Sequence, residues 1–537
     1  MKFIVKKLQE AINRVEEWSY KWGFKFSVGK TNIMFFSRKR VGDEIKLKLY
    51  KQDLKRVKHF KLLGMWFDER LTWKIHIQKV VDKCKKVINI MRCLVGKEWG
   101  ADRVALKGIY DGLIRAFIDY GSVVYGAAAE THMKKLEGIQ NQALRLCTGG
   151  FKTTPIAALQ VEMGVMPIDL RRLQLSLTYW VHLQGHSKDH PVQDTLKPSW
   201  EKEKKEVRNF GWTAVQRAKE IGIEKIQFSP TVPISALPPW ILPDATVDLT
   251  ILERKNKDRE FVCNAISVQE YIDKFYGYVK IYTDGSKSAE SKVGVAFWVP
   301  EFQVRVGKRV NDEVSVYTAE MIAILLAIHW VEEIRPVRVT ICSDSSSVLT
   351  SLQSSKSDSR PDILIEIKQI LYRIEMMGIT VVFVWVPAHI GVRGNEVVDK
   401  VAKEATKCEE IELRINISKM EGKNIIKRKM KEKWQKSRRE ETVISRLRFG
   451  HTGLNASLFM VGKHDTGRCD HCEEQETVDH VMNICRKYEV ERRQMQDNLA
   501  EIKERYELEN ILRKMSGDRC YRHVFGYLKE TNLIKKI

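Results

Sequence analysis

The chain has 537 residues, 43% of them hydrophobic and 30% charged, with 92 Lys and Arg against 69 Asp and Glu. That length exceeds one core and predicts three or four domains. A formal charge of +23 and an isoelectric point near 9.4 favour a polyanionic partner. No run reaches the ~18 uninterrupted apolar residues of a membrane span, so nucleic acid fits better than a bilayer. The ten cysteines are scattered singly apart from one cluster, which predicts reduced thiols in an intracellular setting, cytoplasm or nucleus. The basic start, Met1-Lys-Phe-Ile-Val-Lys-Lys7, lacks the pattern of a signal peptide.

Residues 1–22 place Phe3, Ile4, Leu8, Ile12, Val15 and Trp18 on one helical face. Gly23–Phe36 and Phe60–Trp73 each predict a strand pair with a turn, and helical patterns dominate 74–185. Five of the thirteen prolines fall in Pro230–Pro243, so 186–275 reads as a semi-rigid tether. Strands follow at 278–283, 293–299, 302–309, 337–342 and 380–386, with an apolar helix over Thr318–Glu333. The first three strands form an antiparallel meander, and helical crossovers make the rest parallel. The basic run Lys427-Arg428-Lys429, Lys431, Lys433, Lys436 and Arg438-Arg439 surrounds Trp434. It fits a phosphate-tracking helix, a charged linker or a nuclear-import signal.

Four carboxylates stand where this layout presents them to a common point. Asp284 ends a strand and opens the turn Asp284-Gly285-Ser286, and Glu320 lies near the start of the apolar helix. Asp344 ends a second strand, and Asp399 lies on a short helix. Without a cation such a group repels itself, whereas a pair of hard divalent ions about 4 Å apart would suit in-line phosphoryl transfer. His389, on the loop Ala388-His389-Ile-Gly391, fits proton transfer or a plain loop hydrogen bond. Asn395, in Gly394-Asn395-Glu396, fits a helix cap or a substrate contact. Cys469-x-x-Cys472, His480 and Cys485 have the spacing of a closed, structural zinc site, with a helix begun near Glu476 aiming His480.

In order, Tyr282-Thr-Asp-Gly-Ser286, Tyr317-Thr-Ala-Glu320, Cys342-Ser-Asp-Ser345, Trp385-Val-Pro-Ala-His389 and Gly394-Asn395-Glu396-x-x-Asp399 resemble ribonuclease H. The type is that of non-LTR (jockey-like) retrotransposon polyproteins, and the resemblance covers about 275–408. It implies an α/β fold: a mixed five-stranded sheet with flanking helices, cutting the RNA strand of RNA–DNA hybrids to leave 5′-phosphate and 3′-hydroxyl. It also implies two Mg²⁺ (or Mn²⁺) ions per active site. Asp284 would bridge both, Glu320 and Asp344 would complete the ion on the leaving-group side, and Asp399 would hold the ion that activates water. His389 would assist proton transfer or product departure. Val398 replaces the family's usual Ala, a change of packing volume.

The opening resembles the end of a reverse-transcriptase palm (1–73) followed by a thumb-like region (74–185), with Lys30 and Leu63-Gly64 matching a palm motif and the primer-grip hairpin. No Asp-Asp dipeptide occurs in the chain, and the resemblance implies a start after the point where the polymerase pair would lie. Polymerisation by this chain alone is therefore not expected. After the 186–275 tether and the 276–408 ribonuclease H domain, 409–537 reads as a basic helical region with a zinc segment. Arg446-Leu-Arg-Phe-Gly450-His451-Thr-Gly453 and the Cys-Cys-His-Cys cluster resemble the terminal segment of the same polyproteins. The expected partners are hybrid and other nucleic acid, not membrane. Two other readings stay open, a catalytically silent nucleic-acid-binding remnant and a different nuclease or integrase of the same sheet type.

Overall fold

The computed structural model describes the chain except residues 1, 38–44, 97–98, 197–198, 201–205, 208–209, 258–263, 451, 503 and 514–518. Met1 and His451 of the motifs above thus lie outside the described residues, as do the side chains of Lys436 and Arg438. Two compact units emerge, one of 1–73, 118–129 and 171–428, the other of 74–117, 130–170 and 429–537. Among the described residues no helix is long and apolar enough to cross a membrane.

The first unit is organised by a six-stranded sheet. Its elements are β1 (Thr246–Asp248), α1 (Thr250–Lys257), α2 (Ala265–Asp273), β2 (Val279–Lys287), β3 (Val293–Val299) and β4 (Val304–Val310). They continue with α3 (Val316–Ile334), β5 (Arg338–Ser343), α4 (Ser346–Ser354), α5 (Pro361–Met376), β6 (Thr380–Trp385) and α6 (Arg393–Ala405). The strand order is β4-β3-β2-β5-β6-β1. β2, β3 and β4 pair antiparallel, and β2, β5, β6 and β1 run parallel. The five expected strands are present in the expected directions, so the α/β mixed-sheet layout holds. The sixth, β1, comes from the stretch read as a tether. A three-residue strand shows no alternation long enough to detect in sequence, and the nearby prolines masked it.

α3 is apolar on nearly every side because it is nearly enclosed: Met321, Ile322, Ala323, Ile324, Ala327, Ile328 and Val331 are all buried. Ser315 caps it, its hydroxyl accepting from the Thr318 N–H at 3.2 Å. β3 is buried along its whole length, the pattern of a strand covered on both faces.

Downstream chain straps this unit. Leu413 bridges Val310, Ile417 bridges Phe228, and the long helix α7 (Lys419–Phe449) begins beside α3. Glu421, at its start, is buried. Its carboxylate accepts from the N–H groups of Ser315 (2.8 Å) and Ser418 (2.9 Å) and from Arg360 (3.4 Å). Burial opposes that charge, yet the two backbone donors and Arg360 hold the carboxyl below the usual range. Arg360, itself buried, is forked onto Asp362 at 3.0 and 2.7 Å.

At the amino-terminal end, the helix Lys2–Lys21 forms as expected, but Phe3, Ile4, Val15 and Trp18 of its apolar face are exposed. The hairpin of His59–Leu62 and Met65–Asp68 turns at Leu63-Gly64, both at positive φ. The Tyr120 hydroxyl donates to the Leu63 carbonyl at 2.6 Å. Residues 23–36 do not form the expected strand pair. Only Asn32–Ile33 joins a strand pair, in parallel with Lys55–Arg56, and Lys30 closes a single helical turn. Phe24 instead stacks back on Trp18 with ring centres 6.0 Å apart.

In the second unit, Lys74–Leu94 packs on Glu130–Thr148, burying Ile77, Ile88 and Met91 on one helix and Leu136, Ile139 and Leu144 on the other. Its carboxyl-terminal part has its own apolar core, including Leu447, Leu454, Val481, Met482, Leu499, Val524 and Leu528.

Replacing Glu421 by Ala should lower the unfolding free energy of the first unit by about 3 kcal/mol, the scale for breaking a buried ion pair. The wild-type advantage should shrink as pH falls through the depressed carboxyl pKa. Urea unfolding of the full chain at several pH values reads both effects.

Candidate active site and metal centre

The parallel ladder between β2 and β5 ends at Thr283 opposite Ser343, and that between β5 and β6 ends at Ser343 opposite Trp385. Asp284 and Asp344 are therefore the next residues on neighbouring strands, at the edge where loops leave the sheet. Asp284 does not open a turn as expected. β2 runs on to Lys287, paired only with β3. Gly285 permits a close approach, since a Cβ there would lie 2.5 Å from the Glu320 backbone nitrogen. That contact brings the start of α3, and with it Glu320, beside Asp284.

Asp284, Glu320 and Asp344 each offer an oxygen, all within 4.8 Å of one another. Asp284 Oδ2 and Glu320 Oε2 are buried without a hydrogen-bond partner. Burial pushes Asp284 up to about 7, with Asp344 and Asp399 adding repulsion. Glu320 is raised well above its ordinary value by burial, then by Asp284 and Asp344. Asp344 is raised by burial too, against the bond it receives from Asn395 Nδ2 at 3.4 Å. The arrangement is electrostatically unsatisfied by protein alone, and its donor set of oxygens fits a hard divalent cation.

Asp399 stands beside this trio. It groups with His389 and Glu396, its ligand atom within 4.8 Å of theirs, and Lys403 Nζ donates to it at 2.7 Å. Glu396 joins this group from one helical turn before Asp399, a spacing present in the sequence itself. Asn395 is not the helix cap. α6 begins at Arg393 with Val392 at the cap position, and the buried Asn395 orients Asp344. Gly394 lets α6 settle on β2, because a Cβ would lie 2.1 Å from the Tyr282 ring. His389 is exposed and takes φ +56°, with Gly391 at φ +90°. Val398 is wholly buried on the inner face of α6.

The family model for RNase H matches residues 277–407. Those residues are a ribonuclease H domain. The chain is also homologous to non-LTR retrotransposon polyproteins. It is 27% identical over 168 residues to the Retrovirus-related Pol polyprotein from type-1 retrotransposable element R1 of Nasonia vitripennis, across 30% of this chain and 50% of that protein. To the RNA-directed DNA polymerase from mobile element jockey of Drosophila funebris it is 25% identical over 183 residues, 33% of this chain and 19% of the relative. A putative 115 kDa protein in type-1 retrotransposable element R1DM of Drosophila melanogaster matches at 26% over 31% of this chain and 16% of its own length. The matches thus span half or less of these relatives. A ribonuclease H fold implies use of a divalent metal, and the acidic trio lies inside the matched domain.

The second cluster lies outside it. Cys472 Sγ is 3.6 Å and Cys469 Sγ 3.9 Å from Cys485 Sγ, and none of the three is in a disulfide. Four ligands about 2.3 Å from one ion would place sulfurs about 3.8 Å apart, so the spacing is that of a tetrahedral site. His480 Nδ1 is 3.1 Å from Glu474 Oε2, and its Nε2 is buried with no partner. All four offer atoms within 4.8 Å of one another. A helical stretch begins at Val478, close to Glu476 as expected, and carries His480 into the wide turn His480–Ile484. Glu476 itself is a buried carboxylate that accepts from the Asn455 N–H at 2.8 Å and from Lys536 at 3.0 Å.

Groups whose folded pKa is raised stabilise the fold when protonated, and that contribution is lost as pH rises through the folded value. Metal-free protein should therefore lose thermal stability between about pH 4 and about pH 7, the span from an ordinary carboxyl to that of Asp284. Asp284→Asn should melt higher than wild type in EDTA at pH 8, and Mg²⁺ should stabilise wild type more than the variant. Thermal melts with and without EDTA read this directly.

Proposed function

We propose that this chain is a metal-dependent endonuclease that cleaves the RNA strand of RNA–DNA hybrids. The observation that carries the reading is the trio Asp284, Glu320 and Asp344, the first two buried and partly unpartnered and the third half-buried beside them, within the ribonuclease H domain. Bound divalent ions, Mg²⁺ or Mn²⁺, would neutralise these groups, polarise the scissile phosphate and activate a water. Asp284, Glu320 and Asp344 would hold these ions through their carboxylate oxygens. Asp399 would face the attacking water. Asn395 holds Asp344 in orientation, and Lys403 does the same for Asp399. His389, exposed on its loop next to Asp399, would take or deliver a proton at its imidazole.

Residues 1–185 would act as the end of a reverse-transcriptase palm and a thumb that grips the duplex. No Asp pair occurs in the chain, so templated DNA synthesis is not part of the proposal. Zinc at Cys469, Cys472, His480 and Cys485 would be structural, because four protein ligands close its shell. Its ligands sit within the apolar core of the carboxyl-terminal part, with Cys469, Cys485 and His480 buried. A catalytically silent nucleic-acid-binding protein is the second reading, favoured by the charge of +23.

A labelled hybrid should be cut on its RNA strand with Mg²⁺ or Mn²⁺ and left intact in EDTA. Asp284→Asn should lower the rate by at least about a hundredfold while keeping the fold, since loss of a transition-state interaction worth 2.7 kcal/mol is about that factor. Binding without cleavage in wild type would select the second reading.

Metal analysis should find one zinc per chain, lost in the double variant Cys469→Ser, Cys472→Ser. That variant should loosen the carboxyl-terminal part and leave hybrid cleavage largely standing. Zinc retained at full stoichiometry would discard this ligand set.

A further inference from the structure

We infer that α1, upstream of the matched ribonuclease H domain, is a substrate-binding element, and that Lys255 on it contacts a backbone phosphate of the nucleic acid next to the cleavage site. The inference rests on the ribonuclease H reading. The stretch carrying α1 has no functional motif, and its local pattern reads as a tether.

The register places α1 at the active-site edge. β1 is parallel to β6, with Asp248 opposite Val384, and Val384 lies opposite Cys342 of β5, which lies opposite Tyr282 of β2. Counting two residues on from each puts Thr250, the first residue of α1, level with Asp344 and Asp284. Two strand spacings separate β1 from β5, roughly 10 Å. α1 thus leaves the sheet at the edge that carries the acidic trio and the His389 loop.

Side chains fasten it there. Lys255 Nζ lies 5.7 Å from the centre of the Trp385 ring, and the indole Nε1 of Trp385 donates to the Asp344 carbonyl at 3.0 Å. One aromatic side chain therefore separates the ammonium from an acid of the trio. Lys255 is exposed and forms no ion pair among the described residues. Asp248 anchors the preceding turn, accepting from the Thr250 N–H at 2.9 Å and the Tyr271 hydroxyl at 2.7 Å. A second upstream element, α2, meets the same loop, since a Cβ on Gly391 would lie 3.6 Å from the Ala265 side chain.

A solvated cation held over a tryptophan, beside a site that must receive a phosphodiester, matches a phosphate of the same strand or its complement. An ammonium supplies charge without base selectivity. It would position the hybrid and take no part in bond breaking, so its effect belongs to binding rather than to the chemical step.

The test compares full-length wild type, Lys255→Glu and, as a control at the opposite edge of the sheet, the exposed Arg335→Glu. Lys255→Glu should raise KM for hybrid by about five- to tenfold with kcat unchanged. It should also reduce the log–log salt slope of binding by about 1, the signature of one lost phosphate contact, while Arg335→Glu moves neither. Equal KM and equal salt slope in wild type and Lys255→Glu, with hybrid still cut, would overturn the inference and leave the ribonuclease reading intact. If wild type fails to cut hybrid, that reading fails. The binding slopes then decide the inference alone, equal slopes overturning it and a loss of about 1 sustaining it as a nucleic-acid contact.

Discussion

The placement of like charges inside a sheet edge governs this protein. Asp284, Glu320 and Asp344 are brought together by backbone geometry that leaves them few alternatives. Two ladders end one residue before the aspartates, and a glycine lets α3 approach closely enough to deliver Glu320. Burial removes the water that would screen them and raises their proton affinity, and repulsion from Asp344 adds to that of Asp284 and Glu320. A fold that stores such repulsion is poised for a cation, and the ion's binding energy offsets what packing alone would not.

Support for that edge comes from beyond the motif segments. Glu421 ties α7 to the start of α3 and, through Arg360, to the start of α5, so the helix bearing Glu320 is held from outside the matched domain. β1 covers what would otherwise be an open strand edge at β6. The cysteine and histidine cluster solves a different problem: its ligands are internal to the core of the carboxyl-terminal part, where an ion would cross-link segments 16 residues apart in sequence.

Much of this was legible in the residues. The alternation of 278–283, the apolar run after Ser315 and the order of the four acids defined the sheet, the central helix and the site, because each rests on a periodicity or a spacing. Two-residue strands such as Asn32–Ile33 and the three-residue β1 were not, since their pairing depends on partners distant in sequence. Asn395 is the third residue of α6 and not its cap, and its bond to Asp344 depends on a tertiary approach that local sequence does not show. The continuation of β2 past Asp284 escaped for a similar reason. Asp-Gly-Ser favours turns locally, and pairing with β3 overrides that preference.

The most direct measurement is calorimetric titration of wild type with Mg²⁺ near pH 6.5, repeated in buffers of different ionisation enthalpy. Because burial and mutual repulsion hold protons on the trio, with Asp284 near 7, ion binding should expel protons and the apparent heat should change with the buffer. Asp284→Asn should bind Mg²⁺ more weakly and release fewer protons. Heats independent of buffer, or equal affinity in the variant, would contradict the claim that these buried carboxylates are built to hold a divalent cation.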